Sequence, residues 1–365
     1  AAGARSGAGV RVLLLQLDGF TNEDDPDKAR LPNLACLRIA GHHRALGDEV
    51  TFRCVEEDPG QLLLWDRGRF DRVYASLIFD KTMPLAVETK RAFPDAIMGG
   101  TGWSVTGTLE SFGISTLGPL DWSIYPNETR SVGFSQRGCR LSCGFCVVPR
   151  KEGKPSATNT ISGLWRGEPY PRHLVLLDND FFGVPEWRDR VRELVDGKFR
   201  VSLTQGFNVR LIGDEEAAAV AALDLWSDDF KRRRVYTAWD NRKDEKRLFK
   251  GLDRLERAGV ALSNVMAYVL VGYDHQTKLP RPLHADDFHR ARELRTRGVD
   301  PYPMPFVRTP ELVGFQRWVA KGLDKRGVSW AEFEAVGYRP EKLSRDEDEE
   351  PVASPQRELF GGAIA

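Results

Sequence analysis

Three cysteines fall within eight residues, Cys139, Cys143 and Cys146, in the string QRGCRLSCGFCVVPRK. Their spacing is Cys-x3-Cys-x2-Cys, with aromatic Phe145 directly before the third. A loop this short can bring three thiolates to three corners of one 4Fe-4S cube and leave the fourth iron without a protein ligand. An iron left open can chelate amino and carboxylate groups and deliver an electron to the molecule it holds. Two other readings stand beside this one: a zinc site, or three structural cysteines. Zinc sites usually pair Cys-x2-Cys elements with a fourth ligand close by. Here no fourth cysteine follows, and His173 is the candidate after the loop. The odd total of five cysteines in a chain of this size argues against a disulfide framework. Cys36, in a helical pattern, and Cys54, in a strand pattern, read as small buried residues.

The elements that must position the thiols alternate between strand and helix. Residues 131–136 (SVGFSQ) read as a strand running into the cysteine loop. Further strands are expected within 173–180, 199–212, 233–240, 262–273 and 299–306, with helices at 185–196, 214–223, 243–258 and 285–297. This is the content of about three-quarters of a (β/α)8 barrel, in which the strand C-terminal ends carry the chemistry. Ahead of it, strands at 10–18, 48–56, 70–79 and 96–100 with helices at 33–46 and 84–93 form a doubly wound α/β pattern. Residues 101–130, rich in Gly, Ser, Thr and Pro, read as a connection. One or two helices are expected over 310–337, with Phe315, Trp318, Trp330 and Phe333 as packing residues.

The cysteine string and the units after it resemble the radical S-adenosylmethionine superfamily, over roughly residues 131–306. The resemblance implies an enzyme in which a 4Fe-4S cluster on Cys139, Cys143 and Cys146 reductively cleaves S-adenosylmethionine. The 5′-deoxyadenosyl radical released then abstracts hydrogen from a substrate. It implies that Asp178, Asn179 and Asp180, where the family often has Gly-Gly-Glu, meet the methionyl amino group or the substrate. Gln205, Asn208 and Arg210 are expected to meet ribose, carboxylate or substrate. Phe145 adjoins the cofactor, and Val271 and Gly272, in YVLVGY, lie near the adenine. Asp178, Asn179, Asp180, Gln205 and Arg210 are the catalytic candidates. Tyr236, Trp239 and Asp240 end the fourth strand, where an aromatic is core about as often as not. Arg140, Arg150, Lys151 and Lys154 flank the loop and read as solvated.

The first α/β segment resembles the cobalamin-binding domain that precedes many radical enzymes, through VRVLLLQLD, LPNLACLRIAGHHRALGDEV and GGTGW. Where some relatives carry a cobalt-ligating histidine, this chain has Asp18-Gly19-Phe20. Trp103, beside Gly100 and Gly102, either covers a cobalamin face or occupies its place. The plainer reading is a retained fold used for packing or substrate contact, with bound cobalamin as the alternative. His42 and His43 read as surface or packing residues.

The expected organisation is a leader at 1–9, a Rossmann-like cobalamin-binding-type domain at 10–126, a partial (β/α)6 TIM-like barrel at 127–308, a helical extension at 309–342 and a disordered acidic tail at 343–365. With 53 basic and 53 acidic residues the formal net charge is zero, so no global pull toward nucleic acid or membrane follows. No apolar run approaches the span of about 18 residues a membrane helix needs, and a cytoplasmic enzyme is expected. A one-electron donor such as flavodoxin or ferredoxin is the implied partner. The basic runs KRRR (231–234) and RKDEKR (242–247) read as solvated faces, with a phosphate-bearing partner as the sharper alternative. The arrangement also resembles bacteriophage radical enzymes that isomerise an amino-acid substituent on thymine, which makes a modified nucleobase or DNA one candidate substrate. The alternatives are a cobalamin-dependent radical methyltransferase and a non-catalytic metal-binding protein.

Overall fold

The computed structural model describes residues 9–19, 31–55 and 68–343. The leader and the acidic tail lie outside them except for residues 9 and 343, and Phe20 also lies outside. The chain divides into two compact units. Of the described residues, one unit holds those up to Val132 and Cys146–Gly153, and the other holds Gly133–Phe145 and those from Lys154 onward.

The first unit is built on a parallel sheet of β1 (Arg11–Gln16), β2 (Glu49–Cys54), β3 (Arg72–Ser76) and β4 (Ile97–Gly99), in the order β2-β1-β3-β4. The continuous apolar run of β1 is explained by burial on both faces. Leu13 and Leu15 join Val73, Ala75 and Ala86 in one core, while Val12 and Leu14 join Cys36, Leu37 and Tyr74 in another. Helix α1 (Leu34–Ala45) starts at Asn33, whose side chain accepts from the amides of Ala35 and Cys36, and α2 (Met83–Ala92) follows β3. The segment read as a connection is part of this unit. Ile114, Ile124 and Tyr125 are buried in the core that includes α1. The segment lacks periodicity because it packs through isolated apolar residues and two short 3-10 turns, Leu109–Phe112 and Trp122–Ile124.

The barrel strands are β5 (Ser131–Gly133), which spans the boundary between the units, and, in the second unit, β8 (His173–Leu176), β9 (Arg200–Leu203), β11 (Val235–Ala238), β12 (Val265–Val271) and β13 (Asp300–Pro305). They form two sheets, β10-β9-β8-β5 and β11-β12-β13, where β10 is the short edge strand Asp224–Leu225. A parallel bridge between Phe207 and Thr237 joins the sheets, with Phe207 N–H donating to Tyr236 O at 2.8 Å and Thr237 Oγ1 donating to Phe207 O at 2.8 Å. The result is the expected six-strand partial barrel. Helices α5 (Trp187–Asp196), α6 (Asp214–Ala222), α7 (Glu245–Arg257) and α8 (Ala285–Thr296) cross between strands. Alternate strand residues, Leu174 and Leu176, Val201 and Leu203, Val265, Ala267, Val269 and Val271, share one core with Leu194, Leu248, Leu252 and Leu294 of these helices. Helices α9 (Pro310–Ala320) and α10 (Trp330–Ala335) form the C-terminal extension, in which Phe315, Trp318, Trp330 and Phe333 make ring contacts.

Three short elements were not legible in the sequence. They are a helix α4 (Ile161–Leu164) before β8, the edge strand β10, and an antiparallel ladder between β6 (Gln136–Arg137) and β7 (Ser156–Ala157). A second short helix, α3 (Val148–Lys151), lies within the loop that this ladder closes. Among the described residues no helix is long and apolar enough to cross a membrane.

Candidate active site at the cysteine loop

The loop leaves the C-terminal end of β5 and is held at its base by three sets of bonds. The β6–β7 ladder pairs Gln136 with Ala157 and Arg137 with Ser156. Thr158 N–H donates to Ser135 O, and the side chains of Thr158 and Asn159 both donate to Phe134 O, each at 2.9 Å. Leu177, one residue past β8, donates to Gly133 O at 2.9 Å. Gly138, at φ +81°, makes the turn into Cys139 in the left-handed region that favours glycine.

The polar residues ending β8 face this loop. Asp178 is fully buried; its carboxylate accepts from Ser135 N at 2.8 Å, Gln136 N at 3.3 Å and the Ser135 hydroxyl. Burial pushes this carboxyl up to about 7, against those donors, which favour the anion. Asp180, 3% exposed, accepts from Arg140 N at 3.0 Å, Nε at 2.8 Å and Nη2 at 2.9 Å. Asn179 between them is half-buried. Of the three candidates, then, the two acids hold the loop at both sides of Gly138, and Asn179 is the more exposed.

The cysteines themselves are half-buried. Leu141 N–H points at Cys139 Sγ at 3.4 Å, a contact of the kind that tunes cluster thiolates. Phe145 stands edge-on to Tyr273 and to His275, with centroids 5.6 Å and 6.3 Å away. The Tyr273 phenol is pushed up by burial, then by the charges of Asp274 and Cys143. The segment after β12 thus lines the loop, a placement that the Gly272-Tyr273 pair signalled only through the glycine. Gly272 has φ +78°, and a Cβ there would stand 2.4 Å from Leu312 Cδ1. Val271 is buried in the helix-facing core.

A second polar group gathers at the ends of β9 and β11. Gln205, Asn208 and Arg210 are half-buried. Arg210 donates to Asn208 Oδ1 at 3.0 Å and pairs with Asp244 at 2.5 Å. Burial pushes the Asp240 carboxyl up, opposed by Arg210, Arg290 and His275. His275 Nε2 meets Asp240 O at 2.9 Å, which ties the loop after β12 to this end of β11. Tyr236 and Trp239 are core residues. His275 and Tyr273 were missed in the sequence; the signal was their place just past a strand-ending glycine.

Among the described residues no group of three Cys, His, Asp or Glu side chains is placed to hold a single metal ion. His173 begins β8 at the other end of the strand from Asp178 and stacks on Phe230 at 4.4 Å. Three thiols on one continuous loop, with an amide aimed at the first, suit a 4Fe-4S cluster that has one iron open.

At the described strand ends of the first unit, polar groups bond to the chain itself. Asp18 accepts from Ile78 N, Phe79 N and Thr82 Oγ1. Asn33 Nδ2 donates to Ser76 Oγ at 2.9 Å, and the Tyr125 hydroxyl donates to Gln16 Oε1 and accepts from Asn33 N. A Cβ on Gly100 would meet Leu77 O at 1.9 Å and one on Gly102 would meet Phe79 at 2.8 Å, so both glycines serve backbone packing. His43 is buried between Asp48 and Tyr74, bonded at 2.7 Å and 3.0 Å, and is a packing residue.

No family model and no curated protein matches this sequence. Among solved structures, it is similar to the apo form of OxsB, a cobalamin-dependent S-adenosylmethionine radical enzyme, with 12% identity and a TM-score of 0.50. The match covers 88% of this chain and 56% of that one, so this chain spans little more than half the length of OxsB. At this identity the likeness establishes the fold alone, a Rossmann-like unit followed along the chain by a partial barrel.

Proposed function

We propose that this chain is a radical S-adenosylmethionine enzyme. The observation that carries the reading is the cysteine loop, anchored by the residues that end β8 in a fold shared with such an enzyme. Cys139, Cys143 and Cys146 would hold a 4Fe-4S cluster, which when bound supplies the electron that cleaves S-adenosylmethionine to a 5′-deoxyadenosyl radical. The chain's own part is placement and exclusion of water. Asp178 and Asp180 fix the loop backbone. Phe145 and Tyr273 cover one side of it. Asn179, Gln205 and Asn208 are the polar groups we assign to S-adenosylmethionine, with Gly272 beside its base. Arg210, itself paired with Asp244, and Asp240 are the two ionisable groups we assign to the substrate.

We favour hydrogen abstraction followed by rearrangement, and keep a modified nucleobase as one substrate to assay. A cobalamin-dependent methyl transfer is the second reading, supported by the cobalamin dependence of OxsB. The test is anaerobic reconstitution with iron and sulfide, then dithionite and S-adenosylmethionine. About four irons per chain and formation of 5′-deoxyadenosine are expected, both lost in Cys143→Ala. A protein that takes up no iron would rule the proposal out. Stoichiometric retention of added hydroxocobalamin would favour methyl transfer.

A further inference from the structure

Arg140 directly follows Cys139 in the chain, and its side chain turns away to a carboxylate 40 residues on. The contact is nearly closed on the Asp180 side: Asp180 is 3% exposed, and both of its oxygens accept from the Arg140 guanidinium. Oδ2 accepts from the Arg140 backbone N–H as well, so the carboxylate grips main chain and side chain of one residue. The absence of a side chain at Gly183 leaves room for this. A Cβ there would stand 2.9 Å from Asp180 Oδ2 and 2.9 Å from Pro155 Cβ, and Gly183 N–H donates to Asp180 O at 2.6 Å. A bidentate pair has one geometry, and with Asp180 buried that geometry fixes the peptide that leads out of Cys139.

We infer that Asp180, through its bidentate grip on Arg140, is a positioning residue that holds Cys139 where it can keep its iron. The inference rests on the proposed cluster and goes beyond it. The acids at the end of β8 face the loop protein, so where relatives are expected to hold the methionyl amino group this chain uses Asp180 to preorganise a ligand. Partners of this kind commonly change metal retention by about 10- to 100-fold when lost.

The test compares reconstituted wild type with Asp180→Asn, Arg140→Gln, the double variant and Arg140→Lys. Iron release to a chelator and the potential of the cluster are followed, and circular dichroism reports folding. The expected result is iron release about tenfold or more faster in each single variant. The double variant should be no faster than the worse single one, because the two residues act as one device. Arg140→Lys keeps charge but not the fork and should fall between. Release at the wild-type rate in Asp180→Asn, or additive losses in the double variant, would overturn the inference while leaving the proposed function intact. Should Asp180→Asn not fold, Arg140→Lys decides, and wild-type retention there overturns the inference. Wild type that takes up no iron sinks the proposed function first, and the inference with it.

Discussion

Phe145, one residue before Cys146, lies edge-on to Tyr273 with ring centroids 5.6 Å apart and planes at 73°. Tyr273 in turn meets Phe306 at 4.7 Å and His275 at 5.0 Å, so a ring cluster from the ends of β12 and β13 backs the cysteine loop. Edge-to-face pairs add about 1 kcal/mol beyond area burial. Tyr273→Ala should therefore lower stability by about 3 kcal/mol and loosen the loop, while Tyr273→Phe keeps the ring and should stay within about 1 kcal/mol of wild type. Urea unfolding checks the first effect, and protease nicking between β6 and β7 checks the second. Equal losses from both substitutions would assign the role to the hydroxyl instead.

Asp178 gives a pH dependence whose sign follows from its environment. Its usual value of 3.8 is raised to about 7, mainly by burial. Between those values the folded chain holds a proton that the unfolded chain has released. Its contribution to stability is therefore full below the lower value, falls as pH rises through the higher one, and is constant above it. Asp178→Asn keeps an oxygen for Ser135 N and Gln136 N and removes the titration. Stability measured by urea from about pH 5 to about pH 8 should fall in wild type relative to the variant. Parallel curves would show that the donors around Asp178 outweigh its burial.

Gly206 stands at the junction of the two barrel sheets, next to the Phe207–Thr237 bridge. Its φ is +84°, and a Cβ would lie 3.1 Å from Tyr236 C and O. Gly298 has φ +74° with nothing within 4 Å of a Cβ. Gly298→Ala should cost only the backbone preference, about 1 kcal/mol. Gly206→Ala adds crowding against main chain that cannot turn aside, for a total of about 2–3 kcal/mol. Thermal unfolding of the two variants side by side measures the difference; equal shifts would mean that the junction yields.

The barrel strands were legible because strands buried on the helix side read as apolar runs, and the cysteine loop because its spacing is chemically specific. The partners of the loop were not. Asp180 stood out by its place after β8, yet nothing local marks a bond to Arg140 across 40 residues. Two-residue ladders such as β6–β7 are too short to leave a period. The segment around Tyr125 has turn composition, and only its fold into the first core shows why Ile114, Ile124 and Tyr125 are apolar.

Arg290 ties the ends of two strands beside the candidate site. It is 2% exposed, and its guanidinium donates to Trp239 O at 2.8 Å, Asp240 O at 2.7 Å and Leu270 O at 2.7 Å, and to Asp287 at 2.6 Å. These carbonyls lie just past β11 and near the end of β12, and of the three Asp240 O also meets His275 Nε2. Asp287, also fully buried, is shared with Arg281, which reaches back to Tyr273 O. Arg290→Met breaks the buried pair with Asp287 and takes the guanidinium from these carbonyls, and should cost about 3–5 kcal/mol. Arg290→Lys keeps a charge for Asp287 but cannot fork across two strands, and should recover only part of that loss. Because Asp240 and the Gly272 turn hang on this arginine, a folded Arg290→Lys protein should also bind S-adenosylmethionine more weakly, by about tenfold. Urea unfolding and equilibrium dialysis of the reconstituted variant measure the two effects separately, and a stable variant with unchanged binding would show that the strand ends hold without it.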